Sequence, residues 1–549
     1  MTSGPTALLY HSISNSRTAG VISGKADVIF VTAKQFISNT AKFIVPCPIV
    51  HSGRSYYNPA DFRTIYNTSR NGSIDCMFEK AKTFALPAAV RRKENPIRIE
   101  TLDAYKVHPI IPTEKCWIPL SHIDILMPDH DILACFVYAP PPAQAFQSIV
   151  SMLKTSLSEA LVAYYPLAGR LTVKEKERPS LYCNDSGVEF EEASADARFD
   201  DIDYFQPYNF DYLAPRKRVS VKGQYQEELP FSVKVTRFKC GGIVLGCRFH
   251  HKVVDACAAA QFLISWSQMS RGLKLSQQPF HHRRLAIKPR DPPQPNIAEQ
   301  QYVETPRRAT SENDPRMEVR SYYLSKSMIE DLKKEAQADA YSSVTAFFWR
   351  ASVRARKVAL AQKASISVVM NGRRILDLPP GLFGNVVFYG VAEAEVGSLL
   401  SEPLGVAAHL VAKAVAALDR ECFQSIIDMV EKQRHRLLHE GSTIRPKVYL
   451  ESPDLMLSSS LASFPLYKVN FGWGCPCFVS MNPSRRYPGF LYFNRAPPEW
   501  GAGLVANIEC LNAHELDIDH EFGTLARNIP QLSSLASILN VDEKQVYDH

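Results

Sequence analysis

The chain has 549 residues, of which 46% are hydrophobic and 22% are charged, and its formal net charge is +7. This is the composition of a globular protein, and at about 100–200 residues per domain the length predicts two or three cores, which excludes a small peptide-like binder. No stretch approaches the roughly 18 uninterrupted apolar residues that a membrane-spanning helix needs, so no membrane span is predicted.

The excess of positive charge lies at the N-terminus. Residues 1–96 contain twelve Lys and Arg against five Asp and Glu, and subtracting these from the totals of 63 and 56 leaves 51 of each for residues 97–549. A protein that binds nucleic acid is expected to carry a basic stripe on its folded body. The neutral body therefore predicts no nucleic-acid partner.

Residues 1–96 also differ in pattern, since they begin Ser/Thr-rich and have no sustained helical or strand period. We interpret them as an N-terminal extension, either disordered, an over-extended gene start or an accessory segment. Targeting to an organelle through residues 1–60 is the alternative to a cytoplasmic location, which we predict. The presence of this extension in the mature protein is left open.

From about Ile97 the pattern is that of a packed domain with alternating helices and strands. Apolar residues recur at helical spacing from Ile149 to Leu161, which predicts a helix with one buried face. Residues 231–238 and 243–249 predict two short strands, and Gly241-Gly242 between them predicts a hairpin turn.

The region 275–318 is rich in proline, arginine and polar residues and has little periodicity, so it predicts a crossover loop. A second mixed α/β region follows, with helices predicted near Lys326–Ala338, Ser343–Val358 and Gly405–Leu418. The sequence therefore predicts two α/β domains of similar size, residues 97–274 and 319–549, joined by this loop.

A reactive pattern lies where the second predicted strand runs into His250-His251-Lys252-Val253-Val254-Asp255. Asp255–Ser270 has strong helix formers and an apolar face, so this turn holds its side chains rigidly and Asp255 begins a helix. A neutral imidazole can take a proton from an attacking hydroxyl or amine and then protonate a leaving thiolate. His251 is the candidate general base, with a hydrogen-bonded structural histidine as the alternative.

Other catalytic signatures are missing. The chain has no Gly-x-Ser-x-Gly elbow, Walker phosphate loop, Gly-x-Gly-x-x-Gly fingerprint or His-Glu-x-x-His motif. The sequence therefore lacks the usual signatures of a nucleophile-elbow hydrolase, a P-loop NTPase, a Rossmann dehydrogenase and a zinc protease, respectively. The tight pair Cys475-Pro-Cys477 has no second pair or His cluster at zinc-site spacing. No metal is predicted.

Two segments about 220 residues apart, His250–Asp255 (HHKVVD) and Asn470–Gly474 (NFGWG), carry a family resemblance. They resemble the His-x-x-x-Asp and Asp-Phe-Gly-Trp-Gly signatures of the BAHD acyltransferases. Three further segments agree, namely Leu120–Asp124 (LSHID), Tyr164–Leu171 (YYPLAGRL) and Leu382–Asn385 (LFGN). The resemblance covers essentially residues 97–549.

The resemblance implies a two-domain fold like that of chloramphenicol acetyltransferase, with mixed sheets flanked by helices and an active-site channel at the domain interface. It implies an acyl-CoA co-substrate, a small-molecule acceptor, a ternary complex without covalent intermediate, no bound cofactor and a monomer. By motif position His251 is the base. Asp255 would point away from the substrate as structural support and pair with Arg373.

The second signature departs from the family because Asn470 replaces its aspartate. An amide cannot form an ion pair or accept a proton, although it can keep one or two hydrogen bonds in a similar volume. Gly472 and Gly474 are retained as structural positions. Trp473 could wall the acyl channel or donate its indole N–H to the developing oxyanion, with simple packing as the alternative.

Pro128–Tyr138 resembles the acceptor-side strand of shikimate and quinate hydroxycinnamoyltransferases in length and framing. Where those enzymes have Thr, Ser and Tyr this chain has Ile132, Ala134 and Phe136, and Ser463 takes the place of their acceptor-carboxylate arginine. A buried site without polar partners penalises a carboxylate and several hydroxyls. The sequence predicts a rather apolar acceptor, such as a long-chain alcohol, an ω-hydroxy acid or a terpenoid-like alcohol.

Three alternatives stay open at this point. One is a shikimate- or quinate-type transferase, and another is a catalytically inactive relative that binds a ligand in the same channel, which Asn470 favours. A third is a condensation-type domain that acts on carrier-bound acyl groups. The sequence decides neither the acyl donor, with hydroxycinnamoyl one option among several, nor whether oxygen or nitrogen is acylated.

Overall fold

The computed structural model describes residues 97–128, 130–141, 145–174, 179–204, 206–217, 219–222, 225–306, 318–439, 442–446, 456–510, 513–517 and 519. The extension predicted for residues 1–96 lies outside the described residues. All described residues belong to one unit that spans Lys93–His549.

The strands of the described part, numbered in chain order, are β1 (Ile99–Val107), β2 (Cys116–Pro119), β3 (Asp131–Tyr138), β4 (Arg170–Lys174), β5 (Ser180–Cys183), β6 (Val188–Ala195), β7 (Val219–Lys222), β8 (Tyr225–Glu228), β9 (Phe231–Phe238), β10 (Ile243–His250), β11 (Tyr302–Pro306), β12 (Glu318–Leu324), β13 (Lys363–Asn371), β14 (Val387–Glu395), β15 (Ser442–Pro446), β16 (Met456–Ser460), β17 (Phe478–Pro483), β18 (Phe490–Arg495) and β19 (Leu504–Cys510). The α-helices are α1 (Phe146–Ala163), α2 (Ala256–Met269), α3 (Arg283–Ala286), α4 (Asn296–Gln301), α5 (Lys326–Ala336), α6 (Ala340–Ala355), α7 (Val396–Ser401), α8 (Leu404–Ala416), α9 (Arg420–Lys432), α10 (Arg434–His439) and α11 (Ala513–Asp517).

Two large mixed sheets organise these elements. The first has the strand order β1-β6-β9-β10-β3-β17 and the second has the order β12-β19-β18-β16-β13-β14. Parallel and antiparallel pairs occur in both, since β6 runs parallel to β9 and β16 runs parallel to β13 and β18. Smaller sheets join β2-β5-β4-β8-β7 and β11-β15. The mixed α/β fold class predicted from the sequence is confirmed.

The C-terminal half of the chain contributes to the first sheet. Strand β17 pairs antiparallel with β3, with Val479 opposite Phe136 and Met481 opposite Ala134. The apolar core of this sheet also includes Phe383 from the C-terminal half. The first core is therefore built from both sides of the predicted crossover loop.

Several elements form where the hydrophobic pattern predicts them. The predicted helix from Ile149 to Leu161 lies within α1, and its apolar stripe is buried. Each buried aliphatic side chain of this kind contributes about 1.5–3 kcal/mol relative to exposure. The predicted hairpin joins β9 to β10, and Gly241 has a φ of 80°, in the left-handed region that favours glycine.

The predicted crossover loop contains more structure than the sequence indicates. Its described part includes α3, α4 and β11, and β11 pairs with β15. Arg290 anchors it, because its backbone N–H and its Nε donate to the buried Asp428 carboxylate at 2.7 and 2.6 Å. The proline and arginine content of this segment therefore predicted an unstructured loop, whereas the ion pair between Arg290 and Asp428 holds the segment in place.

Candidate active site

The histidine pair lies at the turn between β10 and α2. Asp255 is the N-cap of α2, and its Oδ1 accepts the backbone N–H of Ala258 at 2.9 Å, as short polar side chains do at helix starts. The backbone N–H of His251 donates to the carbonyl of His130 at 3.1 Å. The turn is thus tied both to its own helix and to the residue that precedes β3.

The two histidines of the pair have different surroundings. In His250, Nδ1 accepts the backbone N–H of Lys252 at 3.2 Å, so Nε2 carries the proton and donates to Glu228 at 3.2 Å. Burial would raise the pKa of Glu228, but His250 and Lys217 lower that pKa to about 2. His250 is therefore engaged within the fold, which leaves His251 as the candidate base.

Asn385 links His251 to a buried carboxylate. Its Nδ2 donates to Asp124 Oδ1 and to the His251 carbonyl, both at 2.8 Å. Because those two oxygens only accept, the amide Oδ1 must face Nδ1 of His251, which is 3.3 Å away. An amide oxygen also only accepts, so Nδ1 carries the imidazole proton and Nε2 holds the lone pair.

Asp124 anchors this chain of hydrogen bonds. The residue has no solvent exposure, and its carboxylate accepts the backbone N–H groups of Ser121 and Asn385 at 2.8 and 3.0 Å. Arg283 Nη1 donates to Asp124 at 3.2 Å and to the carbonyl of Val253 at 2.8 Å. A buried carboxylate is tolerated when it is paired and hydrogen-bonded in this way.

The electrostatics keep His251 neutral. Burial lowers the pKa of His251, while the Asp255 charge and the bond to Asn385 oppose that shift only in part. Within the described part of the chain, Nε2 has no hydrogen-bond partner. The imidazole is therefore deprotonated at Nε2 near pH 7 and can accept a proton from a bound hydroxyl or amine.

Asp255 and Arg373 form a bidentate ion pair, with Nη1 and Nη2 of the arginine 2.8 and 3.0 Å from the two carboxylate oxygens. Val386 also donates its backbone N–H to Asp255 at 3.0 Å. Burial would raise the pKa of Asp255, but the Arg373 guanidinium and the backbone donors hold it below its ordinary value. The pair joins the His251 turn to the segment between β13 and β14.

The Asn470 side chain closes the NFGWG turn. Its Oδ1 accepts the backbone N–H groups of Gly472 at 2.8 Å and Gly474 at 3.2 Å. Both glycines have a φ of 117°, which residues with a Cβ rarely adopt. The acceptor oxygen that matters here is common to aspartate and asparagine.

Trp473 packs against Phe471 and Tyr138, with ring centroids 5.6 and 5.7 Å apart. Tyr138 ends β3, whereas the carbonyl of His130 at the other end of β3 binds His251. Tyr138 therefore lies seven residues along β3 from the end at which His251 is bound. Among the described residues the buried indole Nε1 of Trp473 has no hydrogen-bond partner, and its roles as oxyanion donor or as wall of the acyl channel both stay predictions.

The predicted acceptor residues divide into two groups. Ile132, Ala134 and Phe136 alternate along β3, face one side of the first sheet and are buried in its core. Ser463 is exposed in the loop after β16. The structure thus brings three apolar side chains together on the strand that starts beside His251.

The importance of the Asn470 oxygen is testable by substitution. Asn470→Ala replaces the acceptor of two exposed N–H groups by water and is expected to lower the free energy of unfolding by about 0.5–1.5 kcal/mol, measured by urea denaturation. Asn470→Asp keeps the oxygen and should match the unmodified protein in stability and in thiol release. A loss with Asp as large as that with Ala would contradict this account.

Sequence reasoning left Asp124 and Asn385 without a role. Both residues lie in segments that carry the family resemblance, so a signal was present. Their function depends on a contact between residues 261 positions apart, which spacing cannot reveal. Among the described residues, no group of His, Cys, Asp and Glu side chains is arranged to hold a metal ion. None of the helices in the described ranges has both the length and the hydropathy of a membrane span.

The fold is shared with a solved acyltransferase. The crystal structure of vinorine synthase aligns with a TM-score of 0.63 and 22% identity, over 78% of this chain and 98% of that one. Two large mixed sheets flanked by helices define the class of acyltransferases that have the chloramphenicol acetyltransferase-like fold.

The family follows from sequence comparison. The Transferase family model matches residues 97–504. Shikimate O-hydroxycinnamoyltransferase of Nicotiana tabacum is 31% identical over 428 residues, 75% of this chain and 96% of that relative. Omega-hydroxypalmitate O-feruloyl transferase of Arabidopsis thaliana is 30% identical over 60% of this chain and 73% of its own length. The chain belongs to the BAHD family of acyl-CoA-dependent acyltransferases.

Proposed function

We propose that the protein transfers an acyl group from acyl-CoA to the hydroxyl of a small, rather apolar acceptor, with His251 as the general base. The observation that carries the proposal is the hydrogen-bond chain from Asp124 through Asn385 to His251. That chain protonates Nδ1 and leaves the Nε2 lone pair without a partner among the described residues. The alternative, a catalytically inactive ligand binder, gives no reason for this arrangement.

The reaction needs both substrates at once. The acceptor oxygen attacks the thioester carbonyl carbon while its proton passes to His251 Nε2. The tetrahedral intermediate then collapses, the carbon–sulfur bond breaks, and the imidazolium returns its proton to the leaving CoA thiolate. Oxygen and sulfur exchange places on the acyl carbon, and no covalent bond to the protein forms.

The remaining motif residues would hold this geometry. Asp255 and Arg373 fix the turn that carries His251, and Asn470 with Gly472 and Gly474 shapes the second motif. Trp473 would wall the acyl channel or donate its indole N–H to the developing oxyanion. We further propose a monomer that works in the cytoplasm, with the catalytic channel between the domains 97–274 and 319–549.

The acceptor class is proposed from β3. Ile132, Ala134 and Phe136 supply no hydrogen-bonding side chain, and Ser463 supplies no positive charge for a carboxylate. A relative that acts on omega-hydroxypalmitate fits such a surface. The tobacco shikimate relative favours the second candidate, a shikimate- or quinate-type acceptor with a hydroxycinnamoyl donor.

The test is free-thiol release from acetyl-, coumaroyl-, feruloyl- and palmitoyl-CoA, each with shikimate, an aliphatic alcohol, an ω-hydroxy fatty acid and a polyamine. We expect release that depends on the alcohol or the ω-hydroxy acid, with shikimate slower. Faster turnover with shikimate would favour the second candidate, and preferred release with the polyamine would make the enzyme an N-acyltransferase. Thiol release that ignores every acceptor would contradict the transferase.

A further inference from the structure

A second imidazole lies against the candidate base. His130 precedes β3 and is 8% exposed, and its carbonyl accepts the backbone N–H of His251 at 3.1 Å. The two imidazole rings meet edge to face with centroids 5.0 Å apart. Any acceptor hydroxyl bound at Nε2 of His251 would therefore be close to the ring of His130.

Tyr487 determines which nitrogen of His130 carries the proton. Its hydroxyl lies 2.9 Å from Nδ1 of His130. Burial and the neighbouring positive groups hold the pKa of His130 well below its ordinary value, so the ring is neutral and has one N–H. Because a phenol O–H is a better donor than a neutral imidazole N–H, Tyr487 donates to Nδ1 and the proton of His130 sits on Nε2.

The segment that carries Tyr487 is firmly held. Arg486 Nη2 pairs with Asp211 at 2.5 Å, and the backbone N–H of Tyr487 donates to the buried Glu509. Two hydrogen bonds join Ser484 to Asp131. The backbone N–H of Ser484 donates to the backbone carbonyl of Asp131 at 2.8 Å, and the backbone N–H of Asp131 donates to the Ser484 hydroxyl at 2.9 Å. The phenol is thus positioned by the fold, and it positions His130 in turn.

Nε2 of His130 has no hydrogen-bond partner within the described ranges. His130 is followed in β3 by Ile132, Ala134 and Phe136, whose side chains supply no hydrogen-bond acceptor for this N–H. An acceptor molecule with oxygens on adjacent carbons can bind both histidines at once. One oxygen donates its proton to Nε2 of His251 and the other accepts the Nε2–H of His130, each over a hydrogen bond of about 2.8 Å.

We infer that His130 contacts the acceptor and donates from Nε2 to an oxygen on the carbon next to the reacting hydroxyl. The acceptor is then an apolar molecule that carries a 1,2-diol or an α-hydroxy carbonyl group. This inference rests on the proposed function, because it places the reacting hydroxyl at His251. It narrows the acceptor class by one specific polar contact.

Two alcohols that differ by one oxygen, 1-dodecanol and 1,2-dodecanediol, test the inference. The ratio of kcat/KM for the diol to kcat/KM for the monoalcohol is measured by thiol release. We expect the unmodified protein to prefer the diol. His130→Phe keeps an aromatic ring but loses the donor, and should reduce the ratio about tenfold, the effect of one hydrogen bond. Tyr487→Phe should reduce it less.

The matched control is His282→Phe, because His282 is an exposed histidine outside the site and its replacement should leave the ratio unchanged. A ratio of one or less in the unmodified protein, or no change in His130→Phe, would overturn the role of His130 alone. If His130→Phe does not fold, the ratio in Tyr487→Phe decides. An unmodified protein that releases thiol with neither alcohol nor any other acceptor would overturn the proposed function, and the inference with it.

Discussion

Replacing His251 with alanine is expected to reduce kcat for acceptor-dependent thiol release by about 10²–10⁴-fold, the usual contribution of a positioned general base. The reason is that Nε2 is the proposed proton acceptor, and its lone pair is left free when Asn385 Oδ1 accepts the Nδ1 proton. The measurement is the initial rate of CoA thiol release at saturating acyl-CoA and acceptor. His282→Ala, at an exposed histidine, is the matched control and should keep full activity.

The pH profile separates a catalytic loss from a structural one. If His251 is the base, the deprotonated imidazole is the active form, so kcat/KM should rise with pH through the lowered pKa of His251 and be level by pH 7. Asn385→Ala removes the acceptor for Nδ1–H and should give a smaller loss of kcat than His251→Ala. Full activity in a folded His251→Ala protein would contradict the assignment of the base.

Breaking the ion pair between Asp255 and Arg373 is expected to cause the largest loss of stability. Arg373→Ala leaves a buried carboxylate with only its backbone donors, which typically costs about 3–5 kcal/mol of unfolding free energy. Denaturant unfolding measures this loss. The exposed pair between Lys334 and Asp331 is the control, because Asp331→Asn should cause no measurable change.

The same ion pair predicts how stability depends on acid. The folded-state pKa of Asp255 is depressed, so its stabilisation is present above the unfolded-state pKa and is lost as the pH falls through the folded value. Asp255→Asn should therefore flatten the decline of stability below about pH 4. An acid midpoint identical to that of the unmodified protein, with equal stability at pH 7, would show that the pair contributes little.

Local patterns in the sequence predicted part of this structure well. The apolar stripe of α1, the hairpin at Gly241 and the turn that carries His251 all depend on residues close together in the chain. The hydrogen bond between Asp124 and Asn385 and the pairing of β17 with β3 join distant segments, and no local period records them. The anchoring of Arg290 by Asp428 was hidden for the same reason.

The candidate site shows the same division. The position of His251 followed from a strand that runs into a helix, whereas its tautomer depends on the amide of Asn385, 134 residues further on. His281 lies in an arginine-rich segment, yet it is buried and hydrogen-bonded to the carbonyl of Ala163 at 2.8 Å. Burial is a property of the assembled fold, and composition gives only its average.

The place of β17 in the first sheet affects how the chain is made. A ribosome releases β3 more than 300 residues before its edge partner β17 exists. Until then β3 presents unpaired backbone groups, the condition under which strands pair with the wrong chain. Contacts of such sequence separation also slow folding. Newly made protein should therefore depend on chaperones until β17 has emerged, and truncation before Phe478 should yield aggregates rather than a smaller enzyme.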